Sequence, residues 1–266
     1  MNKPKERPII FDVQEVNAVL VGDKTQYRVP FDFEFKINTA SLNETADDIG
    51  WSVQKLITRA YHEAVYDFEC PFGAIGDRLW VQEDWRVGAW REIGGVLAID
   101  YKASPEITNT PWVQVSDDED GKKFQTVWIA VTDELDSKGV KTNDDGHYHW
   151  PAGQAPLDWR DASTMERWAS RLLLQITDIR IERIQDISEQ DAISQGIKHI
   201  HADPKDRVGP NHFTKSNGWY HCSRPTAAEV FKEMYKVSDD YDKYGENPWV
   251  WVIEFKIIEP SEVQGG

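Results

Sequence analysis

The spacing of apolar and polar positions changes several times along the chain, and each change marks an element. Pro8-Ile9-Ile10-Phe11 is a short apolar run that predicts a strand, and Val13, Val16, Val19 and Leu20 then recur at helical spacing. Gly22 suits the end of that helix, because a left-handed C-terminal residue is easiest for glycine. Lys24 falls just past that end, where a cation is favoured by the helix dipole. Between residues 38 and 68, Ile49, Val53, Leu56, Ile57 and Ala60 predict a second amphipathic helix. Turn chemistry at Cys70-Pro71-Phe72-Gly73 and Gly76-Asp77 separates it from a strand over Arg78-Leu79-Trp80-Val81-Gln82-Glu83.

Residues from about 86 to 165 are rich in Gly, Asp, Pro and Trp, with short strands predicted at Val96–Tyr101 and Thr126–Val131. From Arg171 to Ile184, Leu172, Leu174 and Ile176 share one parity while Ile179 and Ile181 take the other. A strand there therefore needs a bulge or tight bend near Thr177-Asp178. Ser188 is placed to cap a short helix over Glu189–Gln195, which Gly196 stops. The stretch from Lys198 to Arg224 reads as polar and irregular. A helix follows from Thr226 with Val230, Phe231, Met234 and Tyr235 facing inward, and Trp249, Trp251, Ile253, Phe255 and Ile257 alternate as a strand. No repeat of solenoid length is present. Short strands mixed with helices in this order predict an α+β fold built on a small sheet or barrel, one domain over residues 1–266 with insertions at about 86–165 and 198–246.

Composition fits a globular chain: 40% hydrophobic, 29% charged and 12% aromatic residues exclude disorder and fibrous repeats for the whole. No apolar run approaches the ~20 residues that span a bilayer, so no membrane partner is expected. The start MNKPKERPII lacks the apolar segment of a secretion signal, and two cysteines, Cys70 and Cys222, read as free thiols in a reducing, cytoplasmic setting. A net charge of −16 argues against a general nucleic-acid coat and requires a local basic patch for any contact with phosphate. The acid clusters Asp117-Asp118-Glu119-Asp120, Asp144-Asp145 and Asp239-Asp240 sit in turn-like surroundings and read as solvated loops, without the regularity of a DNA mimic.

Four stretches carry a family likeness: Arg7-Pro8-Ile9-Ile10-Phe11 with Gly22-Asp23-Lys24-Thr25-Gln26-Tyr27-Arg28; Cys70-Pro71-Phe72-Gly73 with Gly76-Asp77-Arg78-Leu79-Trp80-Val81; Arg167-Trp168-Ala169-Ser170-Arg171 with Gln185-Asp186-Ile187-Ser188-Glu189-Gln190-Asp191-Ala192 and Gly196-Ile197; and Asn247-Pro248-Trp249-Val250-Trp251-Val252-Ile253-Glu254-Phe255. In this order they resemble phage and prophage proteins of the ASCH family. ASCH domains belong to the PUA-like superfamily of small mixed β-barrels with flanking helices. The resemblance implies an RNA- or nucleotide-related role, with a cleft lined by the Gly-x-Lys loop. In some small members it implies hydrolysis of the acetyl amide of N4-acetylcytidine by a lysine, a hydroxyl and a carboxylate. That set is chemically coherent: a buried lysine takes the hydroxyl proton, and a carboxylic acid protonates the departing amine.

By position, Lys24 matches the family lysine, Tyr27 stands at the nucleophilic threonine, and Gln195 stands at the acid. Glutamine cannot exchange a proton, so Glu83 or Glu189 would have to supply the acid. In a catalytic version Lys24 is the base, Tyr27 an auxiliary hydroxyl and Glu83 the acid.

The residues read alone add ligand-binding candidates. Lys24 and Arg28 offer donors to a phosphate or carboxylate, and Trp80 and Trp85 could stack on a base whose exocyclic amine Glu83 would read. The structural alternative is that the tryptophans, 12 in all, fill gaps between sheet and insertions. Trp168 and Arg171 are taken from the matching stretch. Arg160, Arg167, Arg171, Arg180 and Arg183 are interleaved with Asp161, Glu166, Asp178 and Glu182, which reads either as a phosphate-binding face or as surface ion pairing. His147, His149, His199, His201, His212, His221 and Cys222 match no established zinc spacing, so neither a metal nor a cofactor is expected. The expected partner is a nucleoside, nucleotide or single-stranded nucleic acid. The competing reading is an acidic interaction module that binds a host protein and keeps a vestigial cleft.

Overall fold

Period-two alternation of apolar residues produces the strands and apolar spacing of three to four residues the helices, and the described residues of this computed structural model (3–30, 39–65, 69–91, 93–103, 112–115, 122–200, 212–215, 221–223, 226–236 and 247–258) carry both. In chain order they are β1 (Glu6–Ile10), α1 (Val13–Leu20), β2 (Gln26–Pro30), α2 (Thr39–Ile49), α3 (Val53–His62), β3 (Arg78–Gln82), β4 (Trp85–Arg91), β5 (Val96–Tyr101) and β6 (Trp112–Gln114). There follow α4 (Lys123–Ser137), β7 (Leu173–Arg183), α5 (Glu189–Ser194), β8 (Ile197–Ile200), β9 (His212–Lys215), β10 (His221–Ser223), α6 (Ala227–Lys236) and β11 (Trp249–Ile257). The fold is mixed α+β. The strands form a five-stranded sheet in the order β1-β3-β7-β11-β2 and two three-stranded sheets, β4-β5-β6 and β10-β9-β8. The barrel expectation is therefore not met among the described residues: β1 and β2 end the large sheet without pairing to each other.

Two compact units partition the chain: Met1–Arg7, Ala18–Leu79 and Leu173–Gly266 in the first, Pro8–Asn17 and Trp80–Leu172 in the second. In the first, β7 and β11 are the long central pair. Their ladder runs Glu254 to Asp178 and then Phe255 to Ile176, leaving Thr177 as the extra residue. This bulge reconciles the two parities, since Leu174 and Ile176 before it and Ile179 and Ile181 after it are all buried. Val250 and Val252 of β11 pack under α5 and α6 with Ile184, Ile187, Ala192, Val230 and Phe231. Ser188 caps α5 as expected by accepting from the Asp191 N–H, and Gly196 takes the left-handed conformation that ends it. Tyr235 has its side chain outside the described residues.

Three expectations change. The helix predicted around residues 49–60 is two, because Gly50 turns left-handed and Ser52 caps a new start by accepting from the Lys55 N–H. The irregular stretch after Lys198 contains β8, β9 and β10, paired antiparallel. The predicted strand at Thr126–Val131 is the middle of α4, despite its β-branched residues. There the helical period puts Val131 and Leu135 into the core of the second unit, with Phe124 and Val127 packed against it. That core also holds Val87, Leu97, Ile99 and Tyr101 of β4 and β5.

At one point in the first unit a side chain replaces a strand. Ile181 faces Trp251 across the β7–β11 ladder and turns its own N–H and C=O away from β11. Thr58 of α3 meets both: its Oγ1 accepts from the Ile181 N–H at 3.0 Å and donates to the Ile181 carbonyl at 3.3 Å.

Helix and strand predict different burial in α4. As a strand, Ile129 and Val131 would share the buried face; in the helix Ile129 is 51% exposed and Leu135 fully buried. Leu135→Ala should cost ~2–5 kcal/mol of unfolding free energy in urea. Ile129→Ala should change it by less than about 0.5 kcal/mol, and the reverse order would mean that the helical face is misassigned.

Candidate functional site

The short loop after α1 places Lys24 where the helix-ending turn directs it inward. Gly22 takes φ +79° and bonds back to Val19, and Asp23 and Lys24 both donate to the Ala18 carbonyl. Lys24 then bridges to Gln195 at the end of α5, and β2 begins two residues later. Alternation along β2 buries Gln26 and Arg28 and leaves Tyr27 half-buried.

Cross-strand partners share a face, so the register aligns Gln26 with Glu254, and Arg28 with Val252, which in turn opposes Arg180. On that face lies a polar network of high burial. Lys24 Nζ donates to Gln195 Oε1 at 3.2 Å, Gln195 Nε2 donates to Gln26 Oε1 at 3.1 Å, and Arg28 Nε donates to the same oxygen at 3.0 Å. Gln26 Nε2 donates to Asp191 Oδ1 at 2.7 Å. Arg28 Nη2 reaches Glu182 at 2.8 Å and Asp191 at 3.3 Å, and Arg180 is bound by Glu182, Asp191 and Glu254.

The electrostatics follow from that geometry. Burial pushes the Arg28 guanidinium down from its ordinary value while Glu182 and Asp191 pull it back. Burial by itself would raise the Asp191 carboxyl, but hydrogen bonds from Ser188 and Gln26 and the charges of Arg180 and Arg28 outweigh it and hold the group below the usual aspartate range. Arg28 is thus already neutralised by its partners. Its Nη1 remains buried with no hydrogen-bond partner among the described residues, although the side chain is only 1% exposed.

A groove of about 520 Å³ adjoins this network. One wall is α3, presenting Lys55, Arg59 and His62 at helical spacing, and the other is Arg180, Ile181 and Glu182 of β7. Glu182 both lines the groove and holds Arg28. Lys55 Nζ lies 4.4 Å from the Trp51 ring centroid, and Arg59 pairs with Glu63 at 2.6 Å.

The structure brings Lys24, Arg28 and Gln195 of the expected set into one network. Tyr27 stands beside it: its ring lies 5.6 Å from Lys24 Nζ and meets Phe72 edge-on at 5.9 Å. The remaining candidates belong to the second unit. Glu83, 1% exposed, is gripped by Arg171 in a two-bond fork, both bonds 2.9 Å, and Arg171 also lies 4.2 Å above the Tyr101 ring. Burial raises the Glu83 carboxyl above its ordinary value and Arg171 opposes the rise. Trp85 is a core residue at 3% exposure, meeting Trp168 edge-on at 5.8 Å and donating to Thr164 Oγ1 at 3.3 Å. Trp80 is half-buried on β3 between the buried Leu79 and Val81.

Gln26, Asp191, Glu182 and the basic face of α3 were not singled out from the sequence as ligand contacts. The alternation of Gln26 with Arg28 was the available signal, since two polar residues on one face of a strand demand partners. Among the described residues no group of three or more His, Cys, Asp or Glu is arranged to hold a metal. His201 lies outside the described residues, as do the side chains of His199, His212, His221 and Cys222. No described helix is long and apolar enough to cross a membrane. The chain matches no protein-family model, no curated protein and no solved structure.

The network predicts an acid-sensitive fold. Asp191 has a depressed folded pKa, so its contribution is present above the unfolded value of ~3.9 and is lost as pH falls through the lower folded value. Asp191→Asn should lose about 3 kcal/mol in urea unfolding at pH 7, and the gap to the parent should shrink below pH ~4. A gap that stays constant down to pH 3 would show that the carboxylate charge is not what holds Arg28 and Arg180.

Proposed function

We propose that the first unit recognises a nucleoside or nucleotide, free or within single-stranded nucleic acid, in the manner that the resemblance to ASCH and PUA-like proteins implies. The observation that carries this reading is Arg28 Nη1, a buried donor without a partner beside the amides of Gln26 and Gln195. A donor whose charge is already balanced suits a neutral acceptor such as a base carbonyl better than a phosphate.

The groove gives the rest of such a ligand a place. Its volume lies within the ~300–1,000 Å³ typical of small-molecule sites. Lys55 and Arg59 offer phosphate two cations in the groove, beside Glu63 and Glu182, which line it as well. Recognition is favoured over turnover: Lys24 donates to Gln195, which cannot return a proton, and both Glu83 oxygens are taken by Arg171.

A melting screen of the full chain against free nucleosides, nucleotides and short oligonucleotides tests the reading. Ligand at 100 times its Kd adds ~2.7 kcal/mol, a rise of several degrees for a chain of this size. Lys24→Ala and Arg28→Lys should abolish the rise for nucleosides, whereas Lys55→Glu with Arg59→Glu should weaken nucleotides and spare nucleosides. No rise with any of these ligands would remove the proposal and favour the protein-interaction reading.

A further inference from the structure

We propose that a second site, an aromatic pocket wholly within the second unit, binds an alkylated ammonium group. The pocket, about 290 Å³, is lined by Ala89 and Trp90 of β4 and by His147, Tyr148, His149 and Trp150 of the segment that precedes Pro151. Three rings stand at the corners of a nearly equilateral triangle: centroids are 6.1 Å apart for Trp90 and Tyr148, 5.8 Å for Trp90 and Trp150, and 6.4 Å for Tyr148 and Trp150. No two are parallel, the tilts being 63°, 57° and 41°. A point ~3 Å above the triangle lies ~5 Å from all three centroids, within the ~6 Å centroid distance of a cation–π contact.

The polar edges of two rings are already committed. Trp150 Nε1 donates to the Gly88 carbonyl at 2.6 Å and Tyr148 Oη donates to Asp136 at 2.5 Å. Those two rings are held in place by these bonds and by packing against the second unit's core, and the ring surface that lines the pocket suits a group recognised without hydrogen bonds. Charge selects the sign: no lysine or arginine lines the pocket, Asp136 abuts it through Tyr148, and Asp144 and Asp145 lie exposed in the turn before His147. That turn is fixed by Asn143, whose Oδ1 accepts from the His147 and Asp145 N–H groups at 2.8 and 3.1 Å. The volume is at the small end for a ligand site, which favours a compact headgroup over a nucleotide.

The test uses choline and its neutral carbon isostere, 3,3-dimethylbutan-1-ol, titrated into the ¹⁵N-labelled full chain while the Trp90 and Trp150 indole N–H signals are followed. Choline should shift both saturably and bind at least ~5-fold more tightly than the isostere. Trp90→Leu and Tyr148→Leu should each weaken it at least ~5-fold, with Trp112→Leu as an unaffected control. If Trp90→Leu fails to fold, Tyr148→Leu decides alone. Equal binding of the isostere would mean simple apolar burial and would overturn the proposal, as would silence of both signals at tens of millimolar choline or a response to nucleosides alone. This outcome is independent of the Lys24 and Arg28 variants.

Discussion

The polar network of the first unit is arranged around a guanidinium that has been taken out of water. Removing such an ion from solvent costs several kcal/mol even after relaxation, and attraction recovers that cost only where geometry is good. Arg28 obtains its partners from three separate pieces of chain: Gln26 from its own strand, Glu182 from β7 and Asp191 from α5. Each piece must be in register for the others to be useful. A one-residue slip of β2 against β11 would turn Arg28 to the opposite face and leave Glu182 and Asp191 confronting each other without it. The network thus fixes register in a way that the apolar residues of β11, buried on both faces from Val250 to Ile253, cannot do alone.

The same arrangement sets the charge balance of the network. Because Arg180 and Arg28 share carboxylates, the interior of the network carries little unbalanced positive charge, while the basic residues of α3 stand in the groove outside it. Buried amide and guanidinium donors and solvent-facing cations are thereby held in different places.

What the sequence disclosed depended on whether a feature was local. The bulge at Thr177 was legible because a parity change within one apolar strand has few explanations, and α1 and α5 were legible from their caps at Gly22, Ser188 and Gly196. The α4 segment misled because Thr126, Val127, Ile129 and Val131 favour strands by intrinsic preference, whereas a period of 3.6 that reaches Leu135 decides the matter only when the core it faces is known. Lys24, Arg28 and Gln195 were picked out of the site, yet Gln26 and Asp191 were not. A buried amide or carboxylate is recognised by the distant group it satisfies, and the separations here, 165 residues for that pair, exceed anything a local pattern encodes. Trp85, weighed both as a stacking platform and as filling, lies in the second unit's core because its ring meets Trp168 and Arg160.

The hydroxyl of Thr58 has a consequence beyond its own two bonds. By answering both the N–H and the C=O of Ile181 as a neighbouring strand residue would, it removes a free ladder position from β7. Exposed ladder positions are where foreign chains add themselves and begin to aggregate. A helix that lends one threonine to the flank of a sheet therefore closes that position to fibril-like growth.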